Sequence, residues 1–117
     1  MATVSVAAVA SCDDWMIVKW ASMASGDTIN ALELPGAAIA LDWQVTGSHG
    51  GTTSLTGSND GTTYANMSEG TGTDAAITAN RCVSTRELPR YVKPSPGTGV
   101  TATDAVLKVT LRKSGNV

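Results

Sequence analysis

Two segments of this 117-residue chain place apolar side chains at every second position, and they constrain its fold more than any other feature. The first covers residues 39–46 and the second covers residues 105–112. The apolar positions are Ile39, Leu41, Trp43 and Val45 in the first segment, and Ala105, Leu107, Val109 and Leu111 in the second. A period of two is the signature of a β-strand with one buried face. Both segments are therefore predicted to be strands that cover a hydrophobic core.

Shorter apolar or alternating runs recur along the rest of the chain, separated by turn residues at intervals of roughly 8–12 residues. These runs are residues 4–6, 15–20, 28–34, 53–57, 62–67, 75–79 and 87–94. The run at 15–20 is so rich in apolar residues that we expect a strand covered on both faces. Pro89 and Pro94 lie in the run at 87–94. Because proline cannot donate to a strand ladder, this strand is expected to lie at a sheet edge or to end abruptly.

These patterns together predict the fold class. No stretch has the spacing of an amphipathic helix, and the many Thr and Gly residues favour sheets and turns. We predict an all-β fold, a single β-sandwich or jelly-roll domain of about eight antiparallel strands. It spans residues 1–117, and residues 1–12 form an N-terminal arm or an edge strand.

A hairpin turn is the clearest local signal. Asn59, Asp60 and Gly61 lie between two short strand-like runs, and all three residue types tolerate the positive φ that tight turns need. We therefore predict a structural turn at these residues, with Tyr64 on the returning strand packed inward.

Composition excludes several classes of partner. The net charge is −2 and the pI is about 5.1, so the chain lacks the basic stripe of a nucleic-acid-binding protein. No run approaches the ~18 apolar residues of a membrane span. Cys12 and Cys82 are far apart in the sequence, and their spacing does not show whether they pair. We expect two buried thiols.

A search for chemistry-bearing motifs finds no catalytic arrangement. The single histidine, His49, lies in a glycine-rich loop without the partners that catalysis or zinc binding needs. The chain has no nucleophile elbow, no calcium loop and no phosphate-binding glycine loop. We predict that the protein is not an enzyme and needs no cofactor or metal.

The three tryptophans allow two interpretations. Trp15, Trp20 and Trp43 would form a stacking platform for sugars if they faced solvent on one surface. The chain has no Phe, however, so large side chains to fill the core are scarce. We therefore favour the core for these residues.

Two stretches resemble segments of small bacteriophage proteins. Residues 54–64, Ser-Leu-Thr-Gly-Ser-Asn-Asp-Gly-Thr-Thr-Tyr, resemble a hairpin common in that group, although Tyr64 stands where a Trp is usual. Residues 88–94, followed by Gly-Thr-Gly and a final alternating strand, resemble the C-terminal half of such proteins, and residues 26–51 also fit. In tailed phages, proteins of this kind are virion components, among them capsid decoration or cement proteins with β-sandwich or jelly-roll folds.

The resemblance implies a function in the virion. We expect a decoration protein that is made in the host bacterial cytoplasm and binds the major capsid protein on the capsid exterior, as a homo-oligomeric dimer or trimer. We expect neither nucleic acid nor a membrane as a partner. The segment predicted to contact the partner comprises Ala2, Thr3, Val4, Ser5, Val6, Ala7, Ala8 and Val9. The alternatives are a phage tail or connector component and a carbohydrate-binding β-sandwich module.

Overall fold

The computed structural model describes residues 2–70 and 72–112, and within them it shows twelve strands and no helix. The strands are β1 (Thr3–Val4), β2 (Ala7–Ser11), β3 (Trp15–Met23), β4 (Thr28–Ile29), β5 (Leu32–Glu33), β6 (Ala38–Ser48), β7 (Thr53–Ser58), β8 (Ala65–Asn66), β9 (Ala76–Ile77), β10 (Arg81–Thr85), β11 (Tyr91–Pro96) and β12 (Ala102–Leu111). Five of these strands are only two residues long. The count exceeds the predicted eight because the run at 28–34 forms two short strands, β4 and β5, and because β10 lies outside the predicted runs.

Two five-stranded sheets make up most of the domain. The first has the order β10-β6-β12-β3-β2, and the second has the order β5-β11-β7-β8, with β9 also paired to β7. All pairs in both sheets are antiparallel, whereas β1 and β4 form a separate parallel pair. The all-β, antiparallel fold class predicted from the sequence is confirmed, and the arrangement is that of a β-sandwich.

The two sheets share one hydrophobic core. Leu55 on β7 and Val92 on β11 belong to the same buried cluster as the inward residues of β3, β6 and β12. At its centre the rings of Trp20 and Trp43 stack, with centroids 5.6 Å apart and planes at 20°. Trp20 pairs with Ala105 on β12, which runs between the two tryptophan-bearing strands. The small side chain of Ala105 leaves the space in which the two indoles meet.

The alternating segments behave largely as predicted. Leu41, Trp43 and Val45 are buried on β6, and the inward residues of β12 are buried opposite them. Ile39 differs, since half of its side chain is exposed. The register between β6 and β12 shifts there, because Ala38 faces Leu111 while Ala40 faces Thr110. Ile39 is thus the extra residue of a β-bulge, which turns its side chain away from the core.

The run at 15–20 is less covered than predicted. Val18 and Trp20 are buried against the second sheet, but Ile17 and Lys19 on the opposite face are only half-buried. No second layer covers that outer face within the described residues.

The predicted proline-containing strand, β11, is an interior strand at its beginning and an edge strand at its end. β11 lies between β5 and β7, but β5 pairs only with Tyr91 and Val92. At Pro94 the ladder continues only toward Leu55 on β7. Proline is tolerated at this position because no strand on the other side requires its missing N–H.

The prediction of buried cysteines is wrong. Cys12 and Cys82 are both free thiols and both exposed. Cys82 lies on the edge strand β10 next to Val83, whose side chain is buried, so alternation turns Cys82 to the outside. Cys12 lies in the connection between β2 and β3, where its amide donates to the carbonyl of Trp15.

Candidate functional site

The strand β2 forms an open edge of the first sheet. It ends the strand order, so its pairing to β3 is the only ladder it makes among the described residues. All five of its residues, Ala-Ala-Val-Ala-Ser, are exposed. Natural edge strands are usually blunted by charged residues, by proline or by bulges. β2 has no charge and no proline, and a bulge at Val9 is its one protective feature.

The bulge makes Val9 the most exposed large apolar residue of the described chain. Ala8 pairs with Val18 and Ala10 pairs with Ile17, so Val9 has no opposite residue on β3. Its side chain is 58% exposed. An uncharged backbone edge with an exposed valine beside it is suited to receiving a strand from another protein.

The structure divides the predicted contact segment into a part that pairs with β4 and a part that lies on the open edge strand β2. The carbonyls of Ala2 and Val4 accept hydrogen bonds from the amides of Thr28 and Asn30 where β1 pairs with β4. The amide of Ala2 also donates to Asp27 Oδ1 at 3.0 Å. Val4 is only 8% exposed and belongs to the core, so it is corrected from a contact residue to a core residue. Thr3 pairs with Thr28. Ala2, Thr3 and Ser5 are exposed as well, but only Ala7, Ala8 and Val9 lie on the open edge strand β2. Ser5 and Val6 connect β1 to β2.

A partly apolar surface continues from this edge across the outer face of the first sheet. Ile17 on β3 and Val106 on β12 are half-buried there, on the face opposite to the core. With Cys82, Gln44 and Lys108 they line a shallow hollow of about 220 Å³. We call the solvent side of the first sheet, which carries this hollow, the outer face. The alternation in residues 105–112 predicts that Val106 faces solvent. The sequence does not reveal the strand order, so it could not predict which strands lie beside Val106.

The predicted turn residues lie together in a loop that is longer than a tight hairpin. Gly61 has a φ of 77°, as expected for this turn. Ser58 Oγ and the amides of Thr62 and Thr63 all donate to Asp60 Oδ1 at 2.8–2.9 Å. These bonds hold residues 58–63 in a side-chain-stabilised turn, so the returning strand begins only at β8 rather than at residue 62.

The Asp60 network predicts an acid-sensitive contribution to stability. The amides of Thr63 and Thr62, and then Ser58, lower the pKa of Asp60 from 3.8 to about 2. A lowered folded-state pKa stabilises the fold above the unfolded value, and this stabilisation is lost as the pH falls toward about 2. We expect the melting temperature of the wild type to drop more steeply over this range than that of Asp60→Asn. Equal pH dependence of the two melting temperatures in calorimetry would contradict this prediction.

The three tryptophans do not form a surface platform. Trp20 and Trp43 are buried in the core, and only Trp15 is partly accessible.

His49 forms a contact of 2.8 Å between its Nε2 and Asn80 Oδ1 at the end of β6. Within residues 2–70 and 72–112, no three His, Cys, Asp or Glu side chains are placed to hold a metal ion. The same residues include no helix long and apolar enough to cross a membrane.

No family model matches the chain, and no curated protein sequence matches it. Among solved structures, the chain is similar to a cupin domain from Bordetella pertussis Tohama I, with 9% identity, coverage of 94% of each chain and a TM-score of 0.48.

Proposed function

We propose that this chain is a capsid decoration (cement) protein that attaches to the major capsid protein of a tailed phage through the β2 edge. The observation that supports this most directly is the open, uncharged strand edge with Val9 exposed beside it. The phage resemblance of residues 54–64 and 88–94 supplies the setting. The protein acts as a binding component and not as an enzyme.

The mechanism of attachment is strand addition. The free N–H and C=O groups of β2 pair with an extended segment of the capsid protein, which continues the five-stranded sheet into the partner. Ala7, Ala8 and Ala10 have small side chains, so they allow close approach of the added strand. Val9 supplies apolar area that becomes buried on contact, and the outer face lies next to the joint.

Cement activity follows from repetition of this contact. Each copy that bridges neighbouring capsid subunits opposes their separation, and many weak contacts act together on a symmetric lattice. A homo-oligomer of the chain would place several β2 edges on one symmetry axis and raise the avidity further.

The proposal is tested by binding of the purified protein to capsids of the parent phage that lack it, measured by cosedimentation. Val9→Lys puts a charge on the edge, and Leu88→Lys is the matched control because Leu88 is also exposed, at 44%. We expect Val9→Lys to weaken capsid binding by at least about tenfold, since burying a valine contributes ~1.5–3 kcal/mol. Leu88→Lys is expected to bind like the wild type.

Two outcomes would overturn the proposal. One is equal capsid binding by Val9→Lys and the wild type. The other is electron cryo-microscopy of the parent particle that finds the chain in the tail and not on the capsid, which would favour a tail or connector component.

A further inference from the structure

A second surface, independent of the β2 edge, is formed where small residues on β7 lie between large ones on its neighbours. Ser58 pairs with Tyr91 and Thr56 pairs with Lys93, so the strand register places Tyr91 and Lys93 side by side on one face of the second sheet. Tyr64 comes just before β8, on the other side of β7. Ser58 and Thr56 are buried, whereas Tyr91, Lys93 and Tyr64 are partly accessible.

Tyr64, Tyr91 and Lys93 line a cavity of about 530 Å³, which we call the tyrosine cavity. Its lining includes six residues with polar side chains, which are Asn30, Asp60, Thr62, Tyr64, Tyr91 and Lys93. The volume falls within the range of small-molecule sites, roughly 300–1,000 Å³. The lining offers hydrogen-bond donors, acceptors and aromatic rings in one place.

The walls of the tyrosine cavity are held by contacts within the chain. Lys93 Nζ lies 4.3 Å from the centre of the Tyr64 ring, a cation–π distance. Gly61 lies so close to the Tyr91 ring that an added Cβ would be 3.2 Å from its Cε2. The bonds from Ser58, Thr62 and Thr63 go to Asp60 Oδ1, which leaves Oδ2 for another donor. A site with fixed walls loses little conformational freedom when it binds a ligand.

Charge balance in the tyrosine cavity identifies the class of ligand. Asp60 and Lys93 supply one negative and one positive charge, and the nearby Arg90 is paired with Glu33 at 3.1 Å. A phosphate or carboxylate ligand would meet Asp60, and a cationic ligand would meet Lys93. Burial, with Tyr91 and Asp60 adding to it, raises the pKa of Tyr64, so its hydroxyl stays protonated as a donor. The lining therefore suits a neutral molecule with many hydroxyl groups.

We propose that the tyrosine cavity binds a neutral saccharide, with Asp60, Asn30 and Lys93 bonding its hydroxyls and a tyrosine ring contacting its C–H groups. Paired polar side chains beside aromatic rings can satisfy the donors and acceptors of a sugar while covering its apolar face. This site is distinct from the predicted tryptophan platform, whose residues are mostly in the core.

Trp20 provides a natural reporter for the tyrosine cavity. Its Nε1 donates to the backbone carbonyl of Asn30 at 2.7 Å, and Asn30 is one of the residues that line the cavity. A ligand that contacts Asn30 is expected to shift the Trp20 indole N–H resonance. The resonance of Trp15, which begins the same strand β3 but does not line the cavity or bond to a lining residue, is expected to stay unchanged.

The test is an NMR titration of the ¹⁵N-labelled full chain with D-glucose, D-galactose, D-mannose and N-acetyl-D-glucosamine, with inorganic phosphate as a charged comparison. We expect at least one sugar to shift the Trp20 indole and the Gly61 and Thr62 amides in a saturable way, and phosphate to shift them less. Oligosaccharides that end in the same sugar then show whether the site takes a free sugar or a chain terminus.

Thr62→Trp fills the mouth of the tyrosine cavity and is expected to reduce sugar affinity by at least tenfold. Thr98→Trp, the same change at an exposed loop residue outside the cavity, is expected to bind like the wild type. If the spectrum of Thr62→Trp shows an unfolded chain, Ala31→Leu fills the cavity from its other wall. The proposal is overturned if no sugar shifts these resonances, if phosphate binds more tightly than every sugar, or if a folded cavity-filling variant binds as before.

Discussion

Replacing Trp20 with Ala is expected to lower the free energy of unfolding by about 3–5 kcal/mol, the range for buried Trp-to-Ala changes. The side chain is fully buried, stacks on Trp43 and donates a hydrogen bond to the carbonyl of Asn30. Its removal therefore leaves a large cavity and an unpaired carbonyl at the centre of the core. Domains of this size have only about 5–15 kcal/mol of stability, so urea unfolding should show a much lower midpoint.

Replacing each of the two stacked tryptophans with Phe separates the contribution of packing to stability from that of the indole hydrogen bond. Trp43 Nε1 has no hydrogen-bond partner among the described residues, whereas Trp20 Nε1 has one. Trp43→Phe removes an unpaired donor, and Trp20→Phe leaves the carbonyl of Asn30 without its partner. We expect Trp20→Phe to be the more destabilising by about 1–3 kcal/mol. Equal losses of stability, or a larger loss at Trp43, would contradict this explanation of the core.

The core could be predicted from the sequence wherever side-chain alternation met a regular ladder. The β12 residues Ala105, Leu107 and Val109 are all buried as their spacing predicts. Ile39, which the alternation predicts to be buried, is exposed instead because it lies at a bulge. A bulge adds one residue to one strand only, so it is defined by the pairing of two distant segments. Alternation within a single segment cannot reveal it.

The candidate sites could be predicted less well than the fold. Sequence reasoning identified the segment that contains the β2 edge, but it did not separate the anchored Val4 from the exposed Val9. It interpreted residues 59–61 as a structural turn only. The tyrosine cavity depends on the pairing of β7 with β11, which brings residues about thirty positions apart in sequence onto one face. The aromatic residues that line the cavity are tyrosines, whereas the sequence analysis considered only the tryptophans as a sugar-binding surface.

Gly51→Ala is expected to destabilise the domain by more than ~1 kcal/mol, although Gly51 lies in a surface loop. An added Cβ at Gly51 would lie 2.2 Å from the carbonyl oxygen of Thr98. The neighbouring residues are packed in the same way, since a Cβ at Gly50 would lie 2.3 Å from the oxygen of Gly99. The two glycine-rich loops thus pack backbone against backbone, and a methyl group between them forces the loops apart.

Gly36→Ala is the matched control for this loop contact. An added Cβ at Gly36 would have no atom within 4 Å, and its φ is not in the positive region. Alanine is then expected to stabilise by about 0.4–1 kcal/mol, because it restricts the unfolded chain. Urea unfolding of the two variants should therefore move the midpoint in opposite directions. If Gly51→Ala is as stable as Gly36→Ala, the two loops do not pack as closely as described, and their glycines serve only to relax the backbone of each loop.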